Sequence, residues 1–188
     1  FTGTEWMSSP NLGIGGAWQS NAISINLWFY PTANNVQLMS ESNVAEALNS
    51  YHYSILEIDS SNYVKAKFWQ AGDLVTHQTI TSTNKVILNQ WNHIYFAEDT
   101  QGGHIFELNG VGTTPCPTYT RLGPGSTNEY FIIGQSDVTY MTATNAFQGK
   151  LGYLSISDYV AGSTYANTFG KFQVITTCLL YTSDAADD

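Results

Sequence analysis

The sequence predicts an all-β chain folded as an antiparallel two-sheet β-sandwich of jelly-roll type, with at most one or two short helical turns. Three observations carry this. Apolar residues recur with a period of two in seven or eight short segments. Gly, Asn and Asp punctuate those segments at regular spacing, as sandwiches and jelly rolls require. Helical periodicity is nearly absent.

The elements follow in chain order. Residues 1–21, FTGTEWMSSPNLGIGGAWQSN, are Gly-rich and contain Trp6, Met7 and Trp18. Some of them should form a first strand. The rest has the character of an assembly arm that adds a strand to a neighbouring subunit's sheet edge, the alternative being a terminal strand and loop within its own domain. Phe1 and Glu5 match the start of a mature type IV pilin, but Pro10 and the glycines exclude the long apolar helix that such a protein needs. AISINLWFYP then alternates, with Ile23, Ile25, Leu27 and Phe29 on one face and Ser24, Asn26, Trp28 and Tyr30 on the other. SNVAEALNSYH, from Ser42 to His52, is the one helical candidate, with Ser42 as cap. YSILEI and YVKAKFW flank DSSN, which reads as a hairpin turn. WNHIYFAED and HIFELNG flank TQGG, and Asn109-Gly110 suits a turn with positive φ. Trp91 offers a large apolar body to close the sandwich end. EYFIIGQ and GKLGYLSIS complete the set.

Composition bounds what the protein does. A chain of 188 residues fits one domain with a sizeable core. Only 11% of residues are charged, which suits a secreted, polar but uncharged surface and predicts an extracellular or cell-surface location. The six basic residues form no cluster, so nucleic acid is a poor partner. No apolar run is long enough to span a membrane as a helix. Beginning at Phe1, the chain reads as a mature form or a fragment. Its last eleven residues, CLLYTSDAADD, resemble a sequencing-library transposase adapter translated in one frame. Without their three aspartates the net charge of −9 becomes −6, and Cys116 is left as the single native cysteine. The expected organisation is therefore an arm or first strand over 1–21, a jelly roll over 22–162, a terminal strand segment over 163–177 that includes VITT, and a non-native tail over 178–188.

The order of the strand motifs resembles laminin-G-like domains of the concanavalin A-like superfamily. The resemblance rests first on ISINLWFYPTANNVQLMSES as an opening hairpin. Its strongest part is KVILNQWNHIYFAEDTQGGHIFELNGV, where the family's Leu-Asn-x-Trp-x-His falls on Leu88, Asn89, Trp91 and His93 and its turn on Asn109 and Gly110. FQGKLGYLSISDYVAG is similar to the closing strand, with Leu151, Leu154 and Ile156 in the apolar places and Gly152 where the family has Asp. The resemblance implies the fold and says little about activity.

Retaining glucanases of that superfamily carry spaced carboxylates on one strand face, one as nucleophile and one as acid/base. Glu57 and Asp59 in ILEIDSSNY match the first half of that motif, but Ser61 and Asn62 stand where the second acid belongs, so no catalytic residues are assigned and the chain is not expected to be an enzyme. Some laminin-G-like domains bind calcium at a rim, and Asp99, Asp137 and Asp158 are the rim candidates here; no cofactor is otherwise implied. There is no zinc spacing, phosphate loop or nucleophile elbow. Trp28, Tyr30, Trp69, Tyr95, Tyr140 and Tyr159 stand outside the core pattern as surface aromatics, able to stack on sugars or to anchor protein contacts. Two functions fit these features. One is a structural protomer of an extracellular fibre or surface layer, self-associating through the terminal arm. The other is a lectin-like, carbohydrate-binding or adhesion module of a larger secreted protein.

Overall fold

The computed structural model describes residues 1–8, 23–42, 54–69, 77–98, 104–113, 130–134 and 145–157. Within them the chain is all strand: β1 (Met7–Ser8), β2 (Ile23–Pro31), β3 (Val36–Ser42), β4 (Ser54–Ile58), β5 (Tyr63–Trp69), β6 (His77–Lys85), β7 (Asn92–Glu98), β8 (His104–Leu108), β9 (Val111–Gly112), β10 (Tyr130–Ile133) and β11 (Gly149–Ser157). Two antiparallel sheets form, one of six strands in the order β1-β10-β3-β4-β5-β6 and one of five in the order β11-β2-β7-β8-β9. The inward side chains of both meet in one core. Ile25, Leu27 and Phe29 from β2, with Ile94 and Phe96 from β7, face Leu38, Leu56, Ile58, Val64 and Ile80 across it, all of them buried. Phe96 and Phe106 pack edge to face at 6.1 Å.

Turn chemistry sets the register. Leu108 pairs with Val111 across a two-residue loop, Asn109 (φ 55°) and Gly110 (φ 76°). Both residues are left-handed, as this tight hairpin needs. In the β4–β5 turn, Asp59 Oδ1 accepts the N–H groups of Ser61 (2.8 Å) and Tyr63 (2.9 Å), and Asn62 takes φ 71°. Burial alone would raise the Asp59 carboxyl. The Tyr63 N–H, Lys65 and the Ser61 N–H outweigh it and hold the group below its usual range. A carboxyl depressed in the folded state contributes stability that is present above its unfolded pKa, about 4, and is lost as pH falls through the lower folded value. Asp59→Asn is accordingly expected to lower the urea midpoint at pH 7, with the gap to the parent narrowing as the pH is taken below about 4. A gap that stays constant with pH would show that the carboxylate's charge plays no part.

β11 departs from strict alternation. Leu151 pairs with Phe29 and Tyr153 with Trp28, so Gly152 is a bulge. The extra residue resets the phase, which is why Leu151 and Leu154, three apart, both lean on the core. β6 went unread in the sequence because HQTITSTNK offers few apolar side chains; Ile80 is buried in the core and Ser82 receives the Val64 N–H at 3.0 Å. The expected helix begins at Ser42, which instead ends β3, and its remaining residues lie outside the described ones.

Candidate ligand-binding face

The first eight residues lie on the chain's own sheets. β1 pairs with β10, and Thr2 bridges to Gln148. The Phe1 ammonium donates to Gly149 O at 3.0 Å, and the Phe1 ring meets Phe147 at 5.5 Å. Met7 packs against the core and Trp6 is half-buried. This part of the predicted arm is an edge strand of its own domain, and Trp18 lies outside the described residues.

Glu57 and Asp59, the two acids weighed for catalysis, are each held by a lysine. Glu57 lies opposite Lys65 in the β4–β5 ladder but bonds diagonally to Lys67 at 2.8 Å, and Lys65 bonds diagonally to Asp59 at 3.1 Å. Both ion pairs share the sheet face turned away from the core. Glu57 (0% exposed), Lys67 (4%) and Gln37 (1%) are buried there. Such a pair is a structural arrangement. Its carboxylate is neutralised, whereas a glycosidase needs two spaced carboxyls aimed at a sugar.

The other sheet's outer face carries the aromatic candidates. Pairing lays them out in rows. Tyr153, Trp28 and His93 stand side by side on β11, β2 and β7, with Lys150 and Tyr30 in the row beyond. The rings touch. Trp28 and His93 are tilted at 4.9 Å, and Tyr30 and Trp91 meet edge to face at 5.7 Å. Lys150 Nζ lies over the Tyr30 ring, 5.4 Å from its centre. His93 Nε2 hydrogen-bonds Asn26 Oδ1 at 2.7 Å. Burial lowers the His93 pKa, so the ring is neutral near pH 7 and completes an uncharged floor.

Trp91 does not close the sandwich end as its motif position suggested. It is 47% exposed, and Leu88 packs on the core instead. Its ring lies across β11 at Gly152, where an added Cβ would stand 2.9 Å from Trp91 Cζ3. Gly152, which interrupts the family's pattern, thus provides the seat for this indole. The loop behind it is pinned by Asn92, which occupies the variable place between Trp91 and His93 in the motif. Asn92 is fully buried. Its Oδ1 accepts from Ile87 N at 3.0 Å and from Asn109 Nδ2 at 3.0 Å, and its Nδ2 donates to Ile87 O (2.8 Å) and Gln90 O (2.9 Å). Removing it takes the partner from four part-buried polar groups. Asn92→Ala is expected to cost about 2–3 kcal/mol in urea unfolding, and an unchanged midpoint would refute this account of the loop.

The remaining predicted residues divide cleanly. Trp28 and Tyr30 belong to the aromatic step. Tyr95 does not: it lies on the same face, in the row of Asn26 and Glu107, but is only 5% exposed and is no surface aromatic. Trp69 ends β5, where only its pairing with His77 is described. Tyr140, Tyr159, Asp99, Asp137 and Asp158 lie outside the described residues, and among the described ones no cluster of three or more His, Cys, Asp or Glu could hold a metal.

Two antiparallel sheets in this order, with β7 at the centre of one and an Asn-Gly hairpin joining β8 to β9, form a two-sheet sandwich. A model of the family Laminin_G_3, of the concanavalin A-like lectin/glucanases superfamily, matches residues 1–164, and the chain belongs to this family. The match takes in the first 21 residues that the strand motifs alone left outside. No curated protein matches the chain. Solved structures share the fold. The native heptameric SAP-like pentraxin from Limulus polyphemus is 16% identical with a TM-score of 0.63, covering 98% of this chain and 90% of the pentraxin. The binding domain of botulinum neurotoxin DC, solved in complex with SialylT, is 12% identical with a TM-score of 0.56, covering 86% of this chain and 40% of that one. Domain 4 of AbnA, a GH43 extracellular arabinanase from Geobacillus stearothermophilus solved in complex with arabinotriose, is 15% identical with a TM-score of 0.53, covering 77% and 64%. At these identities the likeness is one of fold.

Proposed function

We propose that the chain is a non-catalytic, extracellular carbohydrate-binding module of lectin type, and that it holds sugar on the outer face of its five-stranded sheet. The observation that carries this is the aromatic step of Trp28, Tyr30 and Trp91, with an exposed indole seated over Gly152. Pyranose rings present apolar C–H faces that stack on such rings while their hydroxyls reach polar groups at the margin, here Asn26. Sugar ligands in the arabinanase and neurotoxin domains support the reading by analogy of fold. A glycan array run with and without calcium tests it. Binding that disappears in Trp91→Ala is expected, and silence in both conditions would overturn it. The calcium arm also tests the rim aspartates.

A second reading, the self-associating protomer of a fibre or surface layer, draws on the exposed apolar side chains Ile87 (50%), Trp91 (47%) and Val111 (40%). Electron microscopy of concentrated protein separates the two: filaments would favour assembly, and dispersed particles the lectin.

A further inference from the structure

We propose that the sugar bound on this face is an anionic one, a pyranose bearing a carboxylate or sulfate, selected by Lys150. This rests on the reading of the face as a sugar site. The chain is acidic, with six basic residues against fifteen acidic ones, so the position of each cation is informative. Among the described residues, Lys65 and Lys67 are taken up by Asp59 and Glu57. Lys85 lies over Tyr63, at 5.2 Å from its centre. Lys150 alone stands in the aromatic step. It is exposed, and no carboxylate of the described residues is within ion-pair distance of it. The described acid on the same face, Glu107, is on β8 in the row of Tyr95, three strands from β11. Stacking on Tyr30 holds the ammonium in place without neutralising it. Tyr30 in turn touches Trp91. The site therefore presents a ring platform, and beside it a pre-positioned cation whose rotamer freedom is already partly spent. A neutral sugar would use only the platform. A sugar with an acidic substituent would use both.

Matched ligand pairs that differ only in the anion test this: sialyllactose against lactose, galacturonate oligomers against their methyl esters, and sulfated against unsulfated lactosamine. In at least one pair the anionic member is expected to bind about fivefold tighter, the value of one surface ion pair, with the advantage shrinking as salt is raised. The carboxylate and sulfate arms identify which anion is read. Lys150→Gln is expected to erase the ratio, whereas Lys150→Arg keeps the preference. Equal binding within every pair, or a ratio that survives Lys150→Gln, overturns the inference and leaves the lectin reading standing. Binding by no member overturns both.

Discussion

Replacing Glu57 by alanine is expected to destabilise the domain by about 3–5 kcal/mol, because it removes a buried carboxylate that lies 2.8 Å from the buried Lys67 ammonium. Lys67 is 4% exposed, Glu57 is fully buried and the two sit 2.8 Å apart. In that setting the Coulomb attraction offsets the cost of taking two ions out of water, and removing one partner takes that offset away. A domain of this size is typically stable by about 5–15 kcal/mol, so the loss would be visible in yield as well as in urea midpoint. Removing both charges is expected to behave differently. Glu57→Leu with Lys67→Met replaces the pair by apolar groups of similar volume and should recover most of the loss. The double-mutant cycle isolates the pair from the other neighbours of each side chain. Additive single effects would show that the ion pair is not what holds this face together. A separate variant bears on chemistry: reducing-sugar release that vanished in Glu57→Gln would revive the glucanase reading that the Lys67 contact argues against.

That buried pair marks where sequence reading stopped. Alternation placed Ile25, Leu27 and Phe29 inward and Asn26, Trp28 and Tyr30 outward, and the sheets have them so. The Asn109-Gly110 hairpin and the Asp59 turn were legible because φ values of 55°, 76° and 71° leave few residue choices. Period two assigns a face but does not say whether that face is covered. Tyr95 and Lys67 both point away from the core, yet they are 5% and 4% exposed. β6 was missed for a related reason, since a strand of Thr, Ser and Asn carries too little apolar contrast to show a period. The candidate site was half legible. Trp28 and Tyr30 declare themselves by alternation on one strand. Lys150 and Gly152 come to them from β11 and Trp91 from the residue just before β7, and only the pairing of β11 with β2 and β2 with β7 brings them together. Gly152 gave a signal in its departure from the family's Asp, without an indication of what its missing side chain admits. Asn92 gave none, because nothing in a lone Asn announces four side-chain hydrogen bonds.

Trp91→Ala is expected to weaken sugar binding at least tenfold while changing stability little. The two effects separate because the indole is 47% exposed: its truncation opens no core cavity, and Leu88, which packs on the core, is untouched. Binding should suffer more, since a stacked aromatic is the kind of group that dominates such contacts, and a tenfold loss corresponds to about 1.4 kcal/mol. Trp91→Phe should recover part of it, because a smaller ring still offers a face. Gly152→Ala supplies a control that leaves the indole in the chain. Its methyl would stand 2.9 Å from Cζ3 and 3.1 Å from Cη2 of Trp91, so the ring must lift off β11 and lose its alignment with Tyr30. Binding should therefore fall in Gly152→Ala although no binding group has been removed. If isothermal titration shows Trp91→Ala impaired and Gly152→Ala unaffected, the indole matters but its seat on the bulge does not. If neither variant differs from the parent, the sugar lies elsewhere on the domain.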